Sequence, residues 1–125
     1  MGLDMYAFVI PAKQAQKVVD QGLGKKPRQI AYWRKFNALH RWMRDLYLSK
    51  GGKDETFNCN TVKVTGEDLA RLEQALNDGA LLPMTGFFFG APDIYPEHIE
   101  DTRKFIADAR EEIKNHNAVY YDSWW

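Results

Sequence analysis

One cysteine in 125 residues, Cys59, excludes an internal disulfide and any zinc site built from several cysteines. No stretch approaches the roughly 18 unbroken apolar residues that a membrane-spanning helix needs, so no membrane partner is expected. The opening MGLDMYAFVIP lacks a basic leader followed by a long apolar run, and no signal peptide is expected from it. Gly2 follows Met1, but position 6 is Tyr6 where N-myristoylation wants Ser or Thr. A cytoplasmic protein is the natural expectation. Catalytic signatures are missing too: no HxxxH or HExxH for a metal, no GxSxG or SxxK for a serine nucleophile, no GxxxxGK[ST] for a nucleotide phosphate. The connector GLGKKP (22–27) has neither the spacing nor the strand-to-helix setting of a phosphate loop. The formal net charge is zero, which argues against a DNA mimic, since that would need a strong acidic excess.

Aromatics are abundant, with four Trp, six Tyr and seven Phe, and the apolar share is 45%, enough for a real core. The length fits one α+β domain over residues 1–125, with a small, four-stranded sheet packed by three main helices. Leu3–Ile10 reads as a strand stopped by Pro11. Ala12–Gln21 reads as a short helix. Phe57–Thr65 reads as a second strand, with a bulge or turn at Asn60–Thr61 to reconcile its two phases. Thr65, followed by Glu67 and Asp68, is a helix start, with Leu69, Leu72, Leu76 and Ala80 inward and Gly79 at the end. Glu97–Asn115 reads as a third helix and Ala118–Trp125 as a closing strand whose Trp pair packs on the sheet or completes a homodimer interface.

The stretch Pro27–Ser49 predicts one long amphipathic helix. Pro27 suits a first helical position and Gly51–Gly52 a C-terminal cap. Tyr32, Phe36, Leu39, Met43 and Leu46 fall on one face by steps of four and three. Trp33, Asn37, His40, Arg44 and Tyr47 form a flank beside it. The commoner outcome for such a flank is core, with Asn37 and His40 making local hydrogen bonds; the alternative is the border of a binding pocket. A second unusual stretch, LLPMTGFFFGAPDIYP (81–96), suits a short buried strand and then a stiff loop presenting Asp93 and Tyr95 to a ligand.

Charge is distributed unevenly. Residues 1–50 hold ten Lys or Arg against three Asp, a net +7, and residues 51–125 carry the compensating −7. Either the two halves pack with their charges facing, or the basic half holds phosphates. The first is the simpler expectation for a domain of this size.

The opening MGLDMY, the run AYWRKFNALHRW (31–42), LLP (81–83) and TGFFFG (85–90) together resemble a family of small uncharacterised proteins of bacteriophages and prophages. The likeness covers most of the chain except residues 12–27 and 50–60. It implies a phage-like setting, where small accessory proteins act by binding and disabling a host factor. It brings no activity or catalytic residues to carry over.

Histidines are the first place to seek catalysis, and His98 with Asp101, Asp93 or Glu97 is the nearest approach to a metal set. Nothing around Cys59 suggests an activated thiolate. No metal or cofactor is therefore expected, and an enzyme is unsupported. Two binding functions remain. A host-protein partner comes first, held through Trp33, Trp42, Arg41, Arg44 and Tyr95, because Trp, Tyr and Arg dominate interface energetics. Nucleotide or nucleic-acid binding on the basic helix 27–49 comes second. The candidate binding residues are Trp33, Asn37, His40, Arg41, Arg44, Asp93 and Tyr95.

Overall fold

Alternation along Asp4–Pro11 (β1) sends Met5, Ala7 and Val9 into the core and leaves Asp4, Tyr6 and Phe8 on the opposite side. β1 lies at the centre of a computed structural model that describes residues 2–81 and 95–125. Among these residues the fold is α+β: a four-stranded antiparallel sheet in the order β2-β1-β4-β3 and three helices. The other strands are β2 (Arg28–Arg34), β3 (Val62–Val64) and β4 (Asn117–Trp124); the helices are α1 (Asn37–Ser49), α2 (Gly66–Asn77) and α3 (Pro96–Lys114). One sheet face buries Met5, Ala7, Trp33, Val62, Val119 and Tyr121 in a core shared with Leu39, Met43, Leu69, Leu72, Phe105 and Ile106 of the helices. The expected segment around TGFFFG lies outside the described residues.

The single helix expected over 27–49 is two elements. Residues 28–34 form edge strand β2, and the helix begins at Asn37. The physical reason is the partner it meets on β1. Tyr32 sits opposite Tyr6 and Arg34 opposite Asp4, an aromatic and an opposite-charge cross-strand pair, and Trp33 joins Met5 on the buried face. The four-and-three spacing of Tyr32 and Phe36 therefore spans a break, located at Lys35, whose φ is +57°. The end of the helix is as expected. Gly51, at φ +98°, donates its N–H to the Leu48 carbonyl and Gly52 to that of Tyr47, the paired bonds of a Schellman stop.

Two further expectations are corrected. Ala12–Gln21 supplies one 3-10 turn, Ala12–Gln14, after which the chain extends so that Val19 bridges Val62. Adjacent β-branched Val18 and Val19 favour that extended course. Of the strand expected over 57–65, Val62–Val64 remains. Phe57 and Cys59 have positive φ, and their loop is fastened to β4 by Cys59 N–H donating to the Ser123 carbonyl and by Asn58 bonding the Trp125 backbone twice. Trp125 packs against the core, whereas Trp124 is 65% exposed. Thr65 caps α2 in a reciprocal box with Asp68. Asp68 also receives Lys50, and Arg28 reaches Glu112 at 2.5 Å, so two cations of the basic half do face acids of the other.

Candidate functional site: a cationic cleft where β2 meets α1

Trp33, Asn37, His40 and Tyr47 of the flank are core, the commoner outcome for such a stripe, rather than the border of a pocket. Trp33 is 1% exposed, and Asn37 and His40 are buried as fully. The Trp33 indole N–H donates to Thr102 Oγ1 (3.0 Å), which in turn donates to the His98 carbonyl, and the ring meets Phe105 edge-on at 5.1 Å. His40 Nδ1 and the Tyr121 hydroxyl share a hydrogen bond of 2.7 Å. Burial, with the Arg44 charge adding to it, lowers the His40 pKa to about 3. Burial likewise holds the Tyr121 hydroxyl well above the usual tyrosine range. At neutral pH the pair is uncharged and structural. Arg41 and Arg44 are half-buried, and Arg44 Nε donates to the Glu55 carbonyl at 3.2 Å. These residues do not form the open aromatic and arginine face that helical spacing suggested. Asp93 lies outside the described residues. Tyr95 is 46% exposed and occupies the N-cap of α3.

Tyr95 belongs instead to a cleft of about 440 Å³ lined with Arg34, Lys35 and His98. Strand alternation places Trp33 inward and the next residue, Arg34, outward. The left-handed backbone at Lys35 then turns the chain into α1, so two cations occupy consecutive positions at a corner. From the other side α3 brings Tyr95 and, one turn on, His98. The His98 ring lies flat on Phe36 (centroids 4.6 Å, 15°) and meets Tyr95 edge-on at 5.6 Å. Its Nε2 is 3.1 Å from the Arg34 carbonyl oxygen, so Nε2 carries the hydrogen and the ring is fixed. Gly2 lies against the cations: a methyl group there would come within 3.2 Å of Lys35 Cε.

Among the described residues, charge in this cleft is poorly compensated. Arg34 is 3.9 Å from Asp4, a loose and exposed contact of small energetic weight. Lys35 enters no ion pair among the described residues, and no described lining residue is acidic. The first turn of α1, which starts beside Lys35, has no acidic residue and no side-chain cap, so its positive dipole end adds to the same potential. The arrangement suits an anion attached to a flat group, with Arg34 and Lys35 on the charge and the Tyr95–His98 pair on the plane.

Lys35 adopts a backbone conformation that disfavours side chains with a Cβ. Lys35→Gly is expected to raise stability by up to about 1 kcal/mol, read as a higher urea midpoint with unchanged slope. A lowered midpoint would mean that the lysine side chain supports the fold.

Sequence reasoning named Tyr95 as a ligand-facing candidate, and in the structure it lines the cleft. The same reasoning counted Arg34 and Lys35 as charges along a helix and considered His98 for metal binding or catalysis. Among the described residues no three His, Cys, Asp or Glu side chains gather as metal donors, and no helix is long and apolar enough to cross a membrane. No protein-family model matches the chain, and neither a curated protein nor a solved structure shows significant similarity to it.

Proposed function

We propose that this chain is a binding protein for a phosphate-bearing ligand of nucleotide or nucleic-acid type, held in the Arg34–Lys35–Tyr95–His98 cleft. One observation carries the reading: two cations, Arg34 only loosely paired and Lys35 in no ion pair among the described residues, and two rings line one cavity with no acidic residue among its described walls. The ligand phosphate pairs with Arg34 and Lys35, and its base packs on Tyr95. The phosphate surface differs from the basic helix that the sequence suggested, since Arg34 and Lys35 precede α1.

Calorimetric titration with uridine monophosphate and with inorganic phosphate tests it. Arg34→Ala with Lys35→Gly is expected to weaken nucleotide binding at least tenfold without loss of stability. Wild-type affinity in that variant would remove the ligand from this cleft.

A protein partner, a host factor in a phage-like setting, is the second reading, and the exposed rings of Tyr32 and Trp124 favour it. Salt separates the two. Phosphate-dominated binding falls steeply between low and high ionic strength, whereas a protein interface centred on buried aromatic rings changes little.

A further inference from the structure

The sheet face turned away from the helices carries Asp4, Tyr6 and Phe8 of β1, Tyr32 and Arg34 of β2, and Tyr120, Asp122 and Trp124 of β4. Beyond Phe8 it is covered, with Tyr120 and Ile10 buried against Ala15 and Leu23. Tyr6 stacks on Phe8 at 5.6 Å and meets Tyr32 at 5.4 Å, so three rings form one continuous group. Tyr32 is 43% exposed and Trp124 is more exposed still. At one end of these rings Arg34 belongs both to this face and to the cationic cleft. Toward the opposite end of β1, Ile10 and Leu23 join the wall of a second cavity, of about 400 Å³. Its lining includes Lys25 and Lys26, both exposed and in no ion pair among the described residues. Cations therefore stand at both ends of an aromatic row, about 20 Å apart by the rise of a strand of this length.

We propose that a single-stranded nucleic acid lies along this row, its phosphates held at the Arg34–Lys35 cleft and at Lys25–Lys26, its bases packing on Tyr6, Phe8 and Tyr32. The proposal rests on the phosphate reading of the first cleft and names its ligand as a polymer. Aromatic side chains on an open antiparallel sheet accept unpaired bases in sequence-tolerant fashion, and a row of this length takes about two or three of them. Two carboxylates share the face, and both are engaged. Asp4 accepts the Tyr32 hydroxyl at 2.6 Å and faces Arg34, while Asp122 is half-buried and accepts the Ser123 N–H at 2.8 Å. A duplex holds its bases stacked and paired, so it cannot offer them to these rings.

Fluorescence anisotropy with labelled dT10 and rU10, beside calorimetry with uridine monophosphate, tests the proposal on the full chain. A decamer is expected to bind at least tenfold more tightly than the mononucleotide. Lys25→Ala with Lys26→Ala, in an exposed connector, is expected to remove about tenfold of that affinity and to reduce the salt slope by about 1 to 2. The same variant is expected to leave mononucleotide binding unchanged. Tyr32→Ala, on the edge strand, is expected to weaken the decamer by about tenfold through lost stacking. Decamers that bind no better than the mononucleotide, or that ignore the lysine variant, would overturn the proposal while the cleft reading stands. Absence of mononucleotide, phosphate and decamer binding would overturn both.

Discussion

Trp33→Ala is expected to destabilise the protein by about 3 to 5 kcal/mol, the range for emptying a buried tryptophan site. The residue is almost fully enclosed between the sheet and α3, and it lies on an edge strand where little else is buried: Trp33 is the one fully buried residue of β2. Its removal leaves Phe105 without an edge-on neighbour and Thr102 Oγ1 without its donor. Thr102 still donates to the His98 carbonyl, so the polar loss is partial and the cavity dominates. Trp33→Phe keeps much of the packing and is expected to recover more than half of the loss. Equilibrium urea unfolding of the three proteins measures both. A loss near 1 kcal/mol for the alanine variant, the central value for ordinary substitutions, would mean that β2 docks on α3 by other contacts.

Acid is expected to unfold this protein through His40 before the carboxylates contribute. Burial holds the ring's pKa at about 3 in the folded chain, against 6.5 for an exposed imidazole. The unfolded chain therefore takes up a proton below pH 6.5 that the folded chain refuses. The stability is fully present above pH 6.5, falls by about 1.4 kcal/mol per pH unit below it, and the loss levels off near pH 3 at about 4 to 5 kcal/mol. Asp68 adds a separate loss at lower pH. Burial raises its pKa, but the bonds from Lys50 and from the Thr65 backbone and hydroxyl outweigh it and leave the carboxyl below its usual value. Its contribution is present above the unfolded carboxylate pKa and disappears as pH falls through the folded one. Urea midpoints from pH 7.5 to 4, compared with those of His40→Gln, isolate the imidazole. The variant is less stable throughout, since it disturbs the Tyr121 hydroxyl, but its profile is expected to be flat between pH 6.5 and about 4.5. Parallel profiles would mean that another group takes up the proton.

Elements whose signals are local were readable in the sequence. The Thr65 cap with acids after it, Gly51 and Gly79 at helix ends, and the strand expected over Leu3–Ile10 each depend on a few adjacent residues, and each is found within a residue of where it was expected. The misreading of Pro27–Ser49 has a specific cause. A strand ending in aromatics and a helix starting with them can imitate one amphipathic helix when the residues between fall at the right spacing. Only the left-handed Lys35 reveals the break, and lysine does not announce such a conformation as glycine would. The site was hidden for the same reason. Arg34 and Lys35 are adjacent in sequence, but His98 and Tyr95 reach them from about sixty residues away, through the stacking of His98 on Phe36. Trp33 and Tyr47 are core, as the commoner outcome for that flank had it, although Trp33 is buried from a strand, while His40, buried too, bonds the distant Tyr121 hydroxyl.

The order of the sheet has a kinetic consequence. Its two central strands, β1 and β4, pair along their whole length, from Asp4 opposite Trp124 to Pro11 opposite Asn117. Met5, Ala7 and Val9 thus wait for a neighbour more than a hundred positions downstream. During synthesis they emerge early and stay without their main partner until β4 is made. Closing so long a loop costs entropy before any contact repays it, so the meeting of these two strands, rather than the formation of any helix, is expected to limit the folding rate.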